Sequence, residues 1–303
     1  MSDATALVAA LGTGVGTLGA LSDIQAHVES GGADAIIEAG GVIALAHILE
    51  SPGVADDVAT EACYCLEALA AGASQANNAA LDKCVAAVAA SLARLSPEGA
   101  QAACLALSVL PTARANKRAI AGAIVAALQA QGTDDVALVE AAGAALASIA
   151  VDAVGQAALA ESAAIPLLIR ALAPHAAQAA VAEHVAAALC AAAVSSPNQA
   201  AIARDGGIPP LLRALSAHAD SPGVAETCCS ALANIASHAD GAAALVAYAA
   251  SEPEADAAVV LGRTLVLHHA AEPVIVRQVR PGRVKPTRCM QPLPLLPRRR
   301  SFS

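Results

Sequence analysis

A few residues in this sequence have types and spacings that are typical of chemical sites. Residues 14–19 read GVGTLG and match the G-x-G-x-x-G pattern of dinucleotide-binding loops. That pattern requires a preceding strand, a following helix and an acidic residue about 20 positions further on. The sequence has no parallel-sheet pattern, so we expect a flexible glycine-rich segment here and no nucleotide site.

The candidate metal ligands are two close pairs, Cys63/Cys65 and His268/His269. Structural zinc needs four ligands at recurring spacings, and neither a CxxC motif nor a second cluster accompanies these pairs. Because cysteine packs well as a small buried hydrophobe, we expect reduced thiols in the core and solvated histidines. Reduced thiols without a signal-peptide pattern favour the cytoplasm, with the nucleus as the alternative.

No nucleophile and base occur together in a recognisable motif. We therefore expect no catalytic residues, no metal and no cofactor, and an enzyme role only as a regulatory subunit of a larger complex.

The composition indicates an all-α protein. Of the 303 residues, 57% are hydrophobic and only 1% are aromatic. Alanine makes up roughly a quarter of the chain, well above ordinary usage, and it is the best helix former. Because each alanine buries little area, many helices must stack closely to form a core.

Charge is distributed unevenly along the chain. Eight of the 17 basic residues and none of the 26 acidic residues lie in 276–303, so residues 1–275 carry −17 and the tail carries +8. An acidic body argues against binding to nucleic-acid phosphates. No run of about 20 strongly apolar residues occurs, so we expect no membrane span.

Internal repeats organise the rest of the chain. AIIEAGGVIALAHIL (35–49), ALAESAAIPLLIRAL (158–172) and AIARDGGIPPLLRAL (201–215) align residue by residue. Weaker copies give five anchor positions in all, spaced 39 to 43 residues apart: Val42, Val85, Ile124, Ile165 and Ile208. A longer apolar helix pattern follows each anchor, after breakers such as SPGV at 51–54 and again at 221–224.

Each repeat therefore predicts a short helix, a turn, a helix of about ten residues, a loop and a longer helix. The paired prolines Pro209 and Pro210 fit the first turn of the middle helix, where amides lack intrahelical partners. Since no unit can bury its apolar face alone, neighbouring units must share one core, as in an α-solenoid.

The combination GGIPPLLRAL and SPGVAETCCSALANIA, recurring about every 42 residues over 30–245, resembles the armadillo repeat. The resemblance implies an all-α, right-handed α-solenoid of three-helix repeats. The units anchored on Val85 and Ile124 match poorly, and a local HEAT-like geometry is the alternative there.

We divide the chain into four segments on this basis. Residues 1–34 form an N-terminal cap and Gly-rich segment, with a helix over 21–29 that Ser22 caps. Residues 35–250 contain about five armadillo repeats. Residues 251–275 form a C-terminal capping helix, and 276–303 form a basic, Pro/Arg-rich disordered tail.

In armadillo-like solenoids the third helices line the concave groove, which identifies the candidate binding surface by resemblance. Residues four apart share a helix face, so three rows of third-helix positions face one groove. From these rows we expect the partner-binding residues to be Tyr64, Glu140, Glu183, Glu226, Ser230 and Asn234.

The expected function is a noncatalytic scaffold or adaptor that binds a protein or peptide in this groove. Three aligned glutamates favour basic segments. An alternative is a nuclear-transport-like adaptor, although the Trp row of that family is missing and its Asn row is reduced to Asn234. A further alternative is self-docking of the basic tail in the groove.

Overall fold

The structure is a computed structural model that describes residues 3–12 and 17–251, and all regular elements in these ranges are helices. Two helices precede the repeats: α1 (Asp3–Leu11) and α2 (Thr17–His27). A kinked segment, Val28–Gly32, in which Gly31 has φ 94°, links α2 to the first repeat. The chain folds as the predicted α-solenoid.

Five repeats follow α2. The first contains α3 (Ala33–Glu38), α4 (Gly41–Glu50) and α5 (Asp56–Gly72), and the second contains α6 (Asn78–Leu81), α7 (Val85–Ser91) and α8 (Pro97–Val109). The third has only α9 (Lys117–Gln131) and α10 (Val136–Ile149). The fourth contains α11 (Ala153–Glu161), α12 (Ala164–His175) and α13 (Ala179–Ala192). The fifth contains α14 (Ser196–Arg204), α15 (Ile208–Ala217) and α16 (Pro222–Ala236), and α17 (Ala239–Ser251) comes after it.

The repeats stack as two main layers. We call α4, α7, α9, α12 and α15 the second helices, and α5, α8, α10, α13 and α16 the third helices. Each third helix packs against the next one, and α2 packs on α5 at the N-terminal end of that layer. The five predicted anchors, Val42, Val85, Ile124, Ile165 and Ile208, are all buried in the core between the layers.

Small residues allow the third helices to approach closely. A Cβ on Gly143 of α10 would lie 3.1 Å from the backbone nitrogen of Val185 in α13. A Cβ on Gly99 of α8 would lie 2.8 Å from Oγ1 of Thr60 in α5. Glycine inside a helix costs about 0.5–1 kcal/mol relative to alanine, and close packing between helices offsets that cost.

The turn between first and second helices uses a left-handed residue in three repeats. Gly40 has φ 89°, Gly206 has φ 81°, and Ala163, at the equivalent position of the fourth repeat, has φ 60°. Pro209 and Pro210 lie in the first turn of α15, which begins at Ile208, so their predicted position is confirmed.

The third repeat shows the HEAT-like alternative. A single helix, α9, carries the Ile124 anchor, and no separate first helix precedes it. The buried Lys117 at its start donates from Nζ to the Ile149 carbonyl (2.9 Å) and pairs with Asp152 Oδ1 (3.0 Å). Lys117 therefore joins the third repeat to the start of the fourth.

One prediction about local structure is wrong. Ser22 lies inside α2, which begins at Thr17, so Ser22 is not an N-cap. The two SPGV segments lie in different local structures: residues 51–54 lie in the loop after α4, whereas Pro222 is the first residue of α16.

Residues 13–16 and 252–303 lie outside the described part of the chain. The predicted capping helix beyond residue 251, the basic tail and the pair His268/His269 therefore stay predictions.

Candidate partner-binding surface

The third helices are in register, which aligns equivalent side chains across the repeats. Glu140, Glu183 and Glu226 are each the fifth residue of their helices, α10, α13 and α16. Thr60 and Gln101 hold the same place in α5 and α8. Packed helices lie about 8–10 Å apart, so this row continues at regular intervals from repeat to repeat.

The acidic row, defined as Glu140, Glu183 and Glu226, is half-buried at the surface of the third-helix layer. Glu140 and Glu183 form no hydrogen bond or ion pair with a described residue. The Glu183 carboxylate lies over the start of α16, since a Cβ on Gly223 would be 2.6 Å from its Oε1. The positive end of a helix dipole favours a carboxylate at that place.

The neighbouring row is far less accessible. Tyr64 is half-buried, but Leu105, Ala144, Ala187 and Ser230 are all buried, with Ser230 only 1% exposed. No described residue forms a hydrogen bond with Ser230 Oγ. The available part of this row is therefore its N-terminal end, at Tyr64.

Asn234 is turned into the protein in this structure. It is 5% exposed, and its Nδ2 donates to the carbonyl oxygen of Cys190 in α13 at 3.2 Å. This bond ties α16 to α13. The assignment of Ser230 and Asn234 as partner-binding residues stays a prediction, while the structure shows that both are buried.

The described cysteines have the character of core residues. All seven are buried, and they form no disulfide bond with one another. Burial raises the pKa of Cys63, Cys84, Cys104 and Cys229 to about 12, and it also raises that of Cys228. Thiols with such pKa values stay protonated at neutral pH and are poor nucleophiles.

The other candidate chemical sites find no support in the described residues. Within 3–12 and 17–251, no group of three or more His, Cys, Asp or Glu side chains is placed to hold a metal ion. The helix α1 precedes the GVGTLG segment where a dinucleotide site would have a strand, and Thr17, Leu18 and Gly19 belong to α2. In the same part of the chain no single helix is long and apolar enough to cross a membrane, although two sharply bent helix pairs meet that test by length and composition.

The fold and the aligned third helices define a class of protein, an α-solenoid of armadillo type. Residues 195–237, which span α14 to α16, match the family model of the Armadillo/beta-catenin-like repeat. The fifth repeat of the chain thus matches an armadillo repeat.

Similarity to one solved structure supports the fold. The chain is similar to an engineered protein of known crystal structure, with a TM-score of 0.67, 24% identity and coverage of 78% of this chain and 98% of that one. The chain is also similar to a solved chain described under a phosphorylation switch that controls the interaction between cadherin and beta-catenin, with a TM-score of 0.49, 16% identity and coverage of 91% of this chain and 59% of that one. No curated protein sequence matches the chain.

Proposed function

We propose that this protein is a noncatalytic scaffold or adaptor that binds an extended basic segment of a protein partner along its third helices. The acidic row in repeats three to five carries this proposal. Its carboxylates recur at the same helical position, and Glu140 and Glu183 have no described cation beside them.

The spacing of the acidic row suits one backbone conformation particularly well. Helices packed about 8–10 Å apart place successive carboxylates at a similar separation. A polyproline II segment rises about 3.1 Å per residue with three residues per turn, so every third side chain returns to the same side after about 9 Å. A segment with lysine or arginine at every third position would therefore meet one carboxylate per repeat.

The noncatalytic role is supported by the buried thiols of Cys63 and Cys104, whose pKa values burial raises, because protonated thiols are poor nucleophiles. Seven buried cysteines that form no disulfide bond with one another also support a reducing compartment, and we place the protein in the cytoplasm or the nucleus on that basis.

A peptide-binding measurement tests the proposal. The probe is a labelled twelve-residue peptide with lysine at every third position and proline and alanine between, compared with a peptide of the same composition whose lysines are contiguous. Binding is measured by fluorescence anisotropy at several salt concentrations. We expect the spaced peptide to bind more tightly and its affinity to fall as salt rises.

The matched variants are E140Q/E183Q/E226Q and a control, E38Q/E50Q/D205N, which removes three negative charges outside the third helices. An exposed ion pair contributes about 0.2–1 kcal/mol, so three pairs near 0.5 kcal/mol each predict about a tenfold weaker Kd. The control should bind like the parent. Equal affinity of the acidic-row variant and the control, at every salt concentration, would contradict the proposal.

A further inference from the structure

Four serines in this chain are followed by proline, and the structure places them in different environments. They are Ser51, Ser96, Ser196 and Ser221. Two of them share the tetrapeptide SPGV, at 51–54 and 221–224. A difference between those two sites must therefore come from the fold, because the local sequence is identical.

Ser51 is presented in an open loop. It follows α4 with φ −66° and ψ 123°, and Ser51, Pro52 and Gly53 are all exposed. This extended backbone is the conformation that a residue before proline prefers. Its hydroxyl donates to the His47 carbonyl at 2.7 Å and faces solvent otherwise.

The other three serines are held by helices. Ser221 is the N-cap of α16, where its carbonyl accepts from the Ala225 amide at 2.9 Å. Ser96 caps α8, and its hydroxyl donates to Asp56 Oδ2 at 2.6 Å. Ser196 is exposed like Ser51, but it is the first residue of α14 and so lies in a helix and not in an extended loop.

A cation from the second repeat lies against the Ser51 loop. Arg94 Nη1 donates to the Ser51 carbonyl oxygen at 3.1 Å, and Nη2 donates to the carbonyl of Leu49. Arg94 forms no ion pair with a described carboxylate. Its guanidinium charge therefore lies against the backbone of an exposed serine.

We propose that Ser51 is a phosphorylation site for a proline-directed protein kinase, and that the phosphoserine pairs with Arg94 across the first repeat junction. The kinase transfers the γ-phosphoryl group of ATP to Ser51 Oγ. The Oγ–P bond forms as the bond from the γ-phosphorus to the β–γ bridging oxygen breaks, ADP leaves, and the hydroxyl proton passes to the catalytic base of the kinase.

The phosphate changes the interactions at this junction in a defined way. The hydroxyl proton is lost, so the bond to the His47 carbonyl is lost with it. Exposed Glu50 and Asp57 add negative charge to the same region, so Arg94 supplies the compensating charge. Arginine binds phosphate through paired, charge-assisted hydrogen bonds.

The first experiment maps phosphate incorporation in the full-length folded protein. The chain is incubated with a mitogen-activated protein kinase and ATP, and phosphopeptides are quantified by mass spectrometry over time. We expect one phosphate per chain at Ser51 before any at the other three serines. S51A should abolish this fast phase, while S221A, which alters the identical tetrapeptide, should leave it unchanged.

The second experiment tests the Arg94 pairing by a double cycle of phosphorylation and R94A. The Tm change on phosphorylation should be more favourable in the parent than in R94A by at least about 2 °C. Each protein is compared with its own unphosphorylated form, which removes the direct effect of losing the arginine. Fast modification at Ser96, Ser196 or Ser221, or no modification, overturns the site. Equal Tm changes in parent and R94A overturn the pairing.

Discussion

The left-handed alanine at the turn between α11 and α12 predicts that Ala163→Gly stabilises the protein. Ala163 has φ 60° and ψ 26°, whereas glycine occupies the equivalent place at Gly40 and Gly206. A left-handed conformation costs an ordinary residue about 1–2 kcal/mol. Glycine gives back about 0.5–1 kcal/mol through its larger entropy in the unfolded chain, so the expected net gain is about 0.5–1 kcal/mol.

The gain is measured as a change in Tm and in the urea midpoint. For a protein of this size about 1 kcal/mol shifts Tm by roughly 2–4 °C, so we expect an increase of about 2 °C. A Cβ on Gly40 or Gly206 would meet no atom within 4 Å, so G40A and G206A should lower Tm through the backbone alone. The matched control is A157G, at an exposed position within α11, which should lower stability by about 1 kcal/mol.

Two outcomes would contradict the proposed backbone strain at this turn. If A163G loses as much stability as A157G, the left-handed strain at position 163 is absent. If G206A is as stable as the parent, the positive φ at that turn has no energetic consequence.

Three further predictions follow from the polar and buried groups of the core. Burial raises the pKa of Asp152, but hydrogen bonds from the Gly155 amide and Lys117 outweigh it and hold the pKa below its usual value. Stability from this carboxylate is lost as pH falls through that lower pKa, so the Tm difference between parent and D152N should be largest near neutral pH and shrink as pH falls below the ordinary aspartate pKa of about 3.9. A Cβ on Gly155 would lie 1.8 Å from the Ile149 carbonyl oxygen. We therefore expect G155A to lower the free energy of unfolding, measured in urea, by about 3 kcal/mol. A smaller decrease than that of A157G would contradict this clash. The seven described cysteines should not react with iodoacetamide at pH 8 in the folded protein, but they should react in urea. Mass spectrometry counts the labelled thiols. Rapid labelling of the folded chain would show that they are not core thiols.

Much of the fold could be predicted from the sequence because the residues that must be buried recur at the same place in each repeat. An anchor such as Ile208 must be apolar in each repeat, since it faces the core shared with the next unit. The spacing of the anchors therefore revealed both the helices and their stacking order. The third repeat was less clear because its Ile124 anchor lies in the middle of one continuous helix, α9.

The sequence predicted which residues of the candidate site align, but it did not predict which of them are exposed. Helical register alone aligns Glu140, Glu183 and Glu226, so their common row could be read from spacing. Exposure depends instead on how closely neighbouring helices approach, which small residues at their contacts determine. Spacing therefore could not show that Ser230 and Asn234 are buried.

The repeated SPGV segment shows why local sequence is insufficient for such sites. Pro52 disfavours a helical Ser51 and ends α4, yet α5 begins only at Asp56, with Asp56 and Asp57 in its first turn. In every third helix the aligned position is the fifth residue. If α5 began at Pro52, it would have one extra turn before that position, unlike the other third helices. In the fifth repeat, three residues separate α15 from Ser221, so the same tetrapeptide arrives where α16 must begin. Helix length across the stack thus decides that Ser51 stays in an exposed loop while Ser221 becomes a cap, and this difference is what the kinase experiment measures.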